Sequence, residues 1–195
     1  MIFSKELLEK VAKNGSEEVS RAFSKLSREN VSVETAVLEV MSYDFLINSL
    51  KDGHEQAIIT YTQTIGNSEG VSMLLMPREV ALTLVDLLNQ KEIGTTGVLM
   101  DLDKSAVKET LNILSNSYLN YLSKNTEMNL MFGEPYMMTA SNIENIILDL
   151  KGKNIDNGDS VLVFKTVLKI AKHQINAQLY ILFNKNIAKL IEIYK

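Results

Sequence analysis

An acid and an amide lie one helical turn apart in this sequence, in the segment from Ser105 to Asn112. If the segment is a helix, Glu109 and Asn112 point in nearly the same direction, because each residue turns the chain by about 100°. Ser105 falls on the same side. An asparagine carboxamide both donates and accepts hydrogen bonds, whereas a carboxylate only accepts them. This spacing, followed downstream by Pro135, is typical of an active-site signature.

An ordinary amphipathic helix is the alternative interpretation of the same spacing. The opposite side of the segment carries an apolar stripe, made of Val107, Leu111, Leu114, Tyr118 and Leu122. Polar residues of a surface helix face solvent whether or not they have a function. Periodicity alone therefore leaves a solvated face open, and the surrounding sequence has to favour one interpretation.

The surrounding sequence resembles the CheC/CheX/FliY family of chemotaxis phosphatases, and the resemblance is closest to CheC. It is carried by the order Ser105, Glu109, Asn112 and Pro135, by the run from Asn112 to Leu122, by Leu75 to Leu88, and by Ala22 to Leu26. These segments cover nearly the whole chain. The serine, the proline spacing and the context make the Glu-x-x-Asn pattern fairly specific.

The resemblance implies that the chain is a protein aspartyl-phosphate phosphatase, which removes phosphate from a CheY-type response regulator. It assigns Asn112 to orienting the attacking water, and Glu109 to a salt bridge with the regulator's active-site lysine. Ser105 is expected to help start the helix or set its register. Pro135 is expected to shape an edge or loop beside the helix. No cofactor of its own is expected, because the regulator carries its own Mg²⁺.

An internal repeat is predicted within a single domain, with halves of about residues 1–95 and 96–195. An offset of 99 residues aligns Phe23 with Leu122, and it places further apolar residues of the first half on the equivalents of the stripe, namely Leu8, Ala12, Gly15 and Val19. Later in the chain, Met76 matches Phe183 at an offset of 107 residues. This change of offset predicts a modest insertion in the second half, near Ser141 to Ser160.

The first half lacks the chemistry of the second. The offset of 99 residues places Lys10 at the position of Glu109, Lys13 at that of Asn112, and Ala36 at that of Pro135. A lysine ammonium has no acceptor with which to orient water, and it would repel a partner's lysine. We therefore expect a degenerate first site and a single active centre in the second half.

Each half is predicted to contain a long helix, a set of strands and a second helix. The predicted elements are helices 5–26, 78–89, 104–124 and 184–194, and strands near 31–40, 57–65, 71–76, 128–139, 161–170 and 175–183. Asp52-Gly53 and Asn157-Gly158 are dipeptides favoured in hairpin turns, which indicates antiparallel pairing. Ser141 to Leu150 is predicted as a short additional helix.

The fold class expected from these elements is α+β. The resemblance adds that the duplicated halves form one continuous antiparallel sheet, with the two long helices packed beside each other on it. Ile113 and Leu119 lie on either side of the Glu109/Asn112 face. They are expected either to form a docking surface or to be covered by neighbouring elements.

Composition excludes several classes of site. The chain has 195 residues and 46% hydrophobic content, which is enough for a globular core. Its formal charge of −4 disfavours nucleic acid or an anionic membrane as a partner. With no cysteine, and with His54 and His173 far apart, no metal site is predicted.

The N-terminal segment is interrupted by charges, so neither a signal peptide nor a membrane span is expected. Cytoplasm is the expected compartment.

Two other functions stay open at this point. The first is a CheC-like binding or adaptor protein without catalysis, which sequesters the regulator or controls the CheD receptor deamidase. The degenerate first half favours that possibility. The second is a flagellar switch component related to FliY, which we rank last because the chain is expected to end at its second terminal helix, with no room for a switch-binding domain.

Overall fold

The computed structural model describes residues 5–52, 57–65, 70–126, 130–139, 142–152 and 159–184. Its helices are α1 Lys5–Ser27, α2 Tyr43–Lys51, α3 Arg78–Leu88, α4 Asp101–Thr126 and α5 Ile143–Gly152. Its strands are β1 Ser32–Ser42, β2 Ala57–Ile65, β3 Gly70–Pro77, β4 Met131–Phe132, β5 Tyr136–Thr139, β6 Ser160–Ile170 and β7 Ile175–Asn184. A short 3₁₀ turn, Ala171–His173, joins β6 to β7.

The described strands form one antiparallel sheet. Its order is β1-β6-β7-β3-β2-β4, and β5 also pairs with β2 beside β4. Every described pairing is antiparallel. The predicted α+β class with a continuous antiparallel sheet is therefore confirmed.

The two long helices lie side by side on one face of this sheet. The predicted apolar stripe of α4 is buried, and so are its counterparts on α1, from Leu8 to Phe23. The helices run antiparallel, because Asn14 Nδ2 donates to the Tyr121 hydroxyl at 2.8 Å while Leu26 and Ile113 line the same groove. At their crossing, a Cβ on Gly15 would lie 2.9 Å from the Tyr118 ring. The absence of a side chain at Gly15 thus permits this close packing.

The other face of the sheet carries α2 and α5. Strand β3 alternates between the two layers: Leu74 and Met76 pack in the core under α1 and α4, whereas Met73 and Leu75 pack under α2 and α5. This alternation is the period of two that a strand buried on both faces imposes. The Lys51 ammonium pairs with Glu144 at 2.5 Å and links the end of α2 to the start of α5.

Helix α2 was not predicted, and its presence corrects two interpretations. Asp52 caps the C-terminus of α2, its N–H donating to the Asn48 carbonyl at 3.0 Å, so Asp52-Gly53 connects a helix to a strand rather than two strands. The predicted short helix is present as α5, starting at Ile143. Because α2 occupies the corresponding place in the first half, α5 is not additional, and it does not account for the insertion expected near Ser141 to Ser160.

Some predicted features lie outside the described residues. These are Asn157-Gly158, Ser141, residues 128–129 of the predicted strand 128–139, and residues 185–194 of the predicted last helix. Asn184, the expected start of that helix, is instead the last residue of β7. Within the described ranges, no helix combines the length and the apolar character that crossing a membrane requires.

The order helix, strand, helix, strand, strand occurs in each half, with β4 and β5 together in the place of β1. Strand β1 pairs with β6 of the other half, and β5 pairs with β2 of the other half. At the centre of the sheet, Met73 of β3 lies opposite Tyr180 of β7, and these two residues also correspond at the offset of 107. Internal duplication stays a prediction that this arrangement fits.

A buried serine joins each long helix to the sheet. On α1, Ser16 Oγ donates to the Ala12 carbonyl at 2.7 Å, so Thr166 of β6 is the donor in their 2.6 Å contact. On α4, Ser115 Oγ lies 2.7 Å from Ser72 Oγ of β3. Ser16 and Ser115 correspond at the offset of 99, and each contacts a strand of the opposite half. Both helices are thus fixed against the sheet by the same device.

Candidate functional site

Glu109 and Asn112 lie together on the outward side of α4. The structure leaves Glu109 exposed and Asn112 half-buried, opposite the buried stripe. Asn112 Nδ2 approaches Glu109 Oε2 at 3.4 Å, the outer limit of a hydrogen bond. A carboxylate, an amide donor and an amide acceptor are therefore presented within one helical turn. Such a set can pair with a cation and orient a small polar molecule.

Asn116 extends this pair by another helical turn; the helical spacing of the sequence places it on the same side as Glu109 and Asn112 but gives it no function. Its Nδ2 donates to Asn112 Oδ1 at 2.8 Å. Asn112 and Asn116 are four residues apart, a spacing at which side chains on a helix meet. That spacing was the available signal, but an asparagine on the outside of a helix is ordinary. Only the side-chain geometry separates it from a solvated residue.

Grooves flank the Glu109/Asn112 pair on both sides of α4. Towards α1, a groove of about 420 Å³ is lined by Glu18, Arg21, Ala22, Lys25, Leu26, Ile113 and Ser117. Towards the sheet edge, a groove of about 330 Å³ is lined by Asp101, Lys104, Ser105, Lys108, Tyr136 and Met137. Each groove thus carries two basic side chains and one acidic side chain, Glu18 or Asp101, which pairs with Arg21 or Lys104 respectively. Each groove therefore has one more basic than acidic side chain, and this excess positive charge favours an acidic partner surface.

Ser105 lines the groove at the sheet edge, and Pro135 lies at the border of that groove. The structure places Ser105 one turn inside α4, where its hydroxyl donates to the Asp101 carbonyl at 2.9 Å. Pro135 immediately precedes β5, whose Tyr136 and Met137 line the same groove as Ser105. A residue without an N–H is tolerated at such an edge. Neither residue is in a described hydrogen bond with Glu109 or Asn112.

The two apolar residues predicted beside the site have different environments. Leu119 is only 2% exposed and belongs to the core, so it takes no part in a docking surface. Ile113 is half-buried and lines the groove between α1 and α4. For Leu119, covering by neighbouring elements is correct. Ile113 stays accessible to a partner that enters the groove.

The equivalent positions of the first half hold no such constellation. Lys10 and Lys13 are exposed on α1, and Ala36 lies within β1, opposite Thr166 of β6. Strand β1 continues through eleven residues, whereas the second half is interrupted at Gly133 to Pro135 between β4 and β5. Because the long helices are antiparallel, the two lysines lie at the opposite end of the helix pair from Glu109. They cannot complete the α4 site.

Two buried aspartates position the start of α4, and sequence reasoning missed both. Asp86 of α3 accepts hydrogen bonds from the N–H groups of Gly94 at 2.8 Å and Thr96 at 3.0 Å. Burial by itself would raise the pKa of Asp86, but bonds from this loop outweigh it and hold the pKa below its usual value. Asp103 accepts from Met100 N–H at 3.0 Å, three residues earlier. It thereby fixes the first turn of α4, which begins at Asp101 rather than at the predicted Lys104.

His173 is half-buried rather than a freely exposed residue. Its Nε2 lies 2.9 Å from Glu29 Oε1, and Lys172 Nζ contacts the same oxygen at 2.7 Å. Hydrogen bonds from Lys172 and then His173 lower the pKa of Glu29. This cluster ties the segment after α1 to the β6–β7 turn. His54 lies outside the described residues, and the described part of the chain contains no group of three potential metal ligands.

No protein-family model matches the sequence, and no curated protein matches it. Solved structures do match. FliY from Thermotoga maritima is similar over 97% of this chain and 96% of its own, with TM-score 0.67 and 14% identity. CheX from Desulfovibrio desulfuricans matches 90% of this chain and 99% of its own, with TM-score 0.58 and 12% identity.

A further match comes from a structure described as the FliM-SpeE complex from H. pylori. The similarity covers 96% of this chain and 94% of the other, with TM-score 0.69 and 12% identity. Identities at this level carry the fold and not the activity. The predicted resemblance is confirmed at that level: this chain has the fold of the CheC/CheX/FliY chemotaxis proteins.

Proposed function

We propose that this chain accelerates hydrolysis of the phospho-aspartate of a CheY-type response regulator, through a single site formed by Glu109 and Asn112. The observation that carries the proposal is their contact on the exposed face of α4, within a fold shared with FliY and CheX. The predicted motif and the shared fold therefore both support the proposal. The proposed location is the cytoplasm, where such regulators act.

The reaction asks little of the catalyst. A water oxygen attacks phosphorus, the bond from phosphorus to the aspartyl oxygen breaks, and its electron pair leaves on the aspartate carboxylate. The water's proton passes to the phosphate product or to solvent. Because the regulator supplies its own Mg²⁺, this chain has mainly to orient water in line. A hundredfold acceleration needs a barrier lower by only about 2.7 kcal/mol.

Asn112 is the proposed water-orienting residue. One lone pair of its Oδ1 accepts from Asn116, and a carbonyl oxygen has a second lone pair that can accept from water. Its Nδ2 can donate to a phosphoryl oxygen. No strong base is required, because an acyl phosphate already has a good leaving group.

Glu109 is the proposed anchor for the regulator's active-site lysine. In the free chain its carboxylate accepts from Asn112 across 3.4 Å. An arriving ammonium forms a stronger, charge-assisted bond to the carboxylate. Asn112 Nδ2 is then released towards the phosphoryl group. Docking and water orientation are coupled through this exchange.

A non-catalytic adaptor is the second candidate, one that sequesters the regulator or controls CheD. Two observations favour it. The first half has lysines at both equivalent positions, and chains of the same fold occur in structures described as FliM-SpeE and FliG-FliM complexes. The fold therefore also serves in assemblies of proteins.

The test that separates these functions is turnover at substoichiometric amounts. A phosphorylated CheY-type regulator is mixed with a small fraction of this chain, and the loss of its phosphate is followed over time. The phosphatase proposal predicts several phosphates released per copy, beyond the regulator's own rate. An adaptor would bind the regulator, as measured by titration, without accelerating that rate.

A further inference from the structure

An ordered line of side chains runs along the exposed face of α4. Asn116 Nδ2 donates to Asn112 Oδ1 at 2.8 Å, and Asn112 Nδ2 points to Glu109 Oε2 at 3.4 Å. Both hydrogen bonds run in the same direction, from amide to amide to carboxylate. Such a series polarises its members, because an amide whose oxygen accepts a bond becomes a better donor.

The series also fixes which end of the Asn112 carboxamide faces each neighbour. The terminal torsion of asparagine is broad, so the side chain alone does not select one orientation. If the Asn112 amide were reversed, its N–H₂ would face the N–H₂ of Asn116 and its oxygen would face the Glu109 carboxylate. Both contacts would then be repulsive. The Asn116 amide can itself rotate, so it disfavours that alternative together with Glu109, whose carboxylate repels the Asn112 oxygen in either case.

We infer that Asn116 is a positioning residue, which acts through Asn112 and holds its oxygen and nitrogen in the order that water attack requires. The inference rests on the proposed phosphatase function. With Oδ1 fixed on the side of Asn116, Nδ2 lies beside Glu109, where the regulator's lysine and the phosphoryl group would arrive. The remaining lone pair of Oδ1 is left for the attacking water.

Asn116→Asp is the sharpest test, because it keeps the shape and replaces the donating N–H₂ with a carboxylate oxygen. We expect kcat to fall about tenfold while KM for the phosphorylated regulator stays within about twofold. Asn116→Gln keeps the donor and should restore at least about half of the wild-type kcat. Asn120→Asp is the matched control: it adds the same charge one turn further along the exposed face, and it should leave both constants within about twofold.

The side-chain amide signals of Asn112 in ¹H–¹⁵N spectra give a readout that does not depend on turnover. Asn116→Asp should shift them, and Asn120→Asp should not. An active wild type with an equally active Asn116→Asp variant would overturn the inference alone, as would unshifted Asn112 signals. A wild type without phosphatase activity would instead reject the proposed function. The orientation of the Asn112 amide would then have no role in catalysis.

Discussion

The long helices α1 and α4 pack in the same way but expose different chemistry. Both bury an apolar stripe against the sheet, and both fix themselves to it with a serine at an equivalent position, Ser16 or Ser115. On their outer faces, α1 presents Lys10 and Lys13 where α4 presents Glu109 and Asn112. The packing against the sheet is therefore alike on the two helices, while the outward residues differ. The residues that pack the fold are different from those that form the candidate site.

The edge strands of the two halves also differ. Strand β1 is continuous and pairs with β6 from Ser32 to Ser42, with one irregularity near Val33. Its counterpart is split into β4 and β5, with Gly133 and Pro135 between them. The split brings Tyr136 into the groove beside Ser105. In the second half, the Glu109/Asn112 pair and this groove thus lie on the same helix.

The largest expected effect comes from removing the amide of Asn112, whose equivalent on α1 is Lys13. Asn112→Ala should lower turnover of the phosphorylated regulator by about a hundredfold, the contribution expected of a water-orienting group worth about 2.7 kcal/mol. The fold should persist, because Asn112 lies outside the buried stripe. Turnover and thermal unfolding are measured together, with Asn125→Ala as a control on the same helix. Wild-type turnover would remove Asn112 from the mechanism.

Glu109, the proposed anchor on α4, can be replaced by lysine, the residue type at the equivalent position 10 on α1. Glu109→Lys should weaken regulator binding by about tenfold and also lower turnover, because an attractive contact becomes a repulsion between like charges. The affinity is measured by titration with the regulator. Glu6→Lys makes the same change of charge on the exposed face of α1 and should bind within about twofold of wild type. Equal affinity for Glu109→Lys and wild type would show that Glu109 is not the anchor.

The shared packing of the two helices can be tested by removing each serine. Ser16→Ala and Ser115→Ala should each lower the free energy of unfolding by about 1–2 kcal/mol, because a buried hydroxyl on the sheet loses its partner. Denaturant unfolding measures this free energy, and Ser123→Ala, at a half-buried position, should change it by less than about 0.5 kcal/mol. A loss confined to one helix would show that the two are held to the sheet differently.

The smallest expected effect lies at the end of α1, where Glu29 accepts from Lys172 and His173. Their hydrogen bonds lower the pKa of Glu29 in the folded protein from 4.5. This contribution to stability is present above the ordinary carboxyl pKa and is lost as the pH falls through the lowered value. Glu29→Gln should therefore lower the melting temperature slightly at neutral pH and have no effect in strong acid. A difference that persists in acid would exclude this ion cluster as the cause.

Periodicity predicted the elements that bury a continuous stripe, and it predicted them well. The spacing of Val107, Leu111 and Leu114 determines which side of α4 meets the sheet, and the structure buries all three. Helix α2 was missed although its signals were present: Ser42 caps it by accepting from Phe45 N–H, and Leu46 and Leu50 are buried on one side. The nearby Asp52-Gly53 dipeptide favoured a hairpin instead. The turn dipeptide thus led to a wrong prediction where the capping serine and the apolar spacing indicated a nine-residue helix.

The side-chain arrangement of the candidate site was predictable only in part. The contact between Glu109 and Asn112 follows from helical spacing, because residues three apart on a helix meet, whereas their proposed function came from the family resemblance. The role of Asn116 depends on which amide atom faces which, and the roles of Asp86 and Asp103 depend on a loop that folds back over them. Such contacts are set by tertiary structure, so one-dimensional periodicity carries no signal for them.

The most direct test of a single active centre is the turnover of Lys10→Ala/Lys13→Ala, measured beside Asn112→Ala with the same phosphorylated regulator. A single centre on α4 predicts that the double variant stays within about twofold of the wild-type rate, while Asn112→Ala falls to nearly the regulator's own rate. A large loss from the lysine pair, with fold and regulator affinity unchanged, would contradict this. It would show that the first half takes part in catalysis.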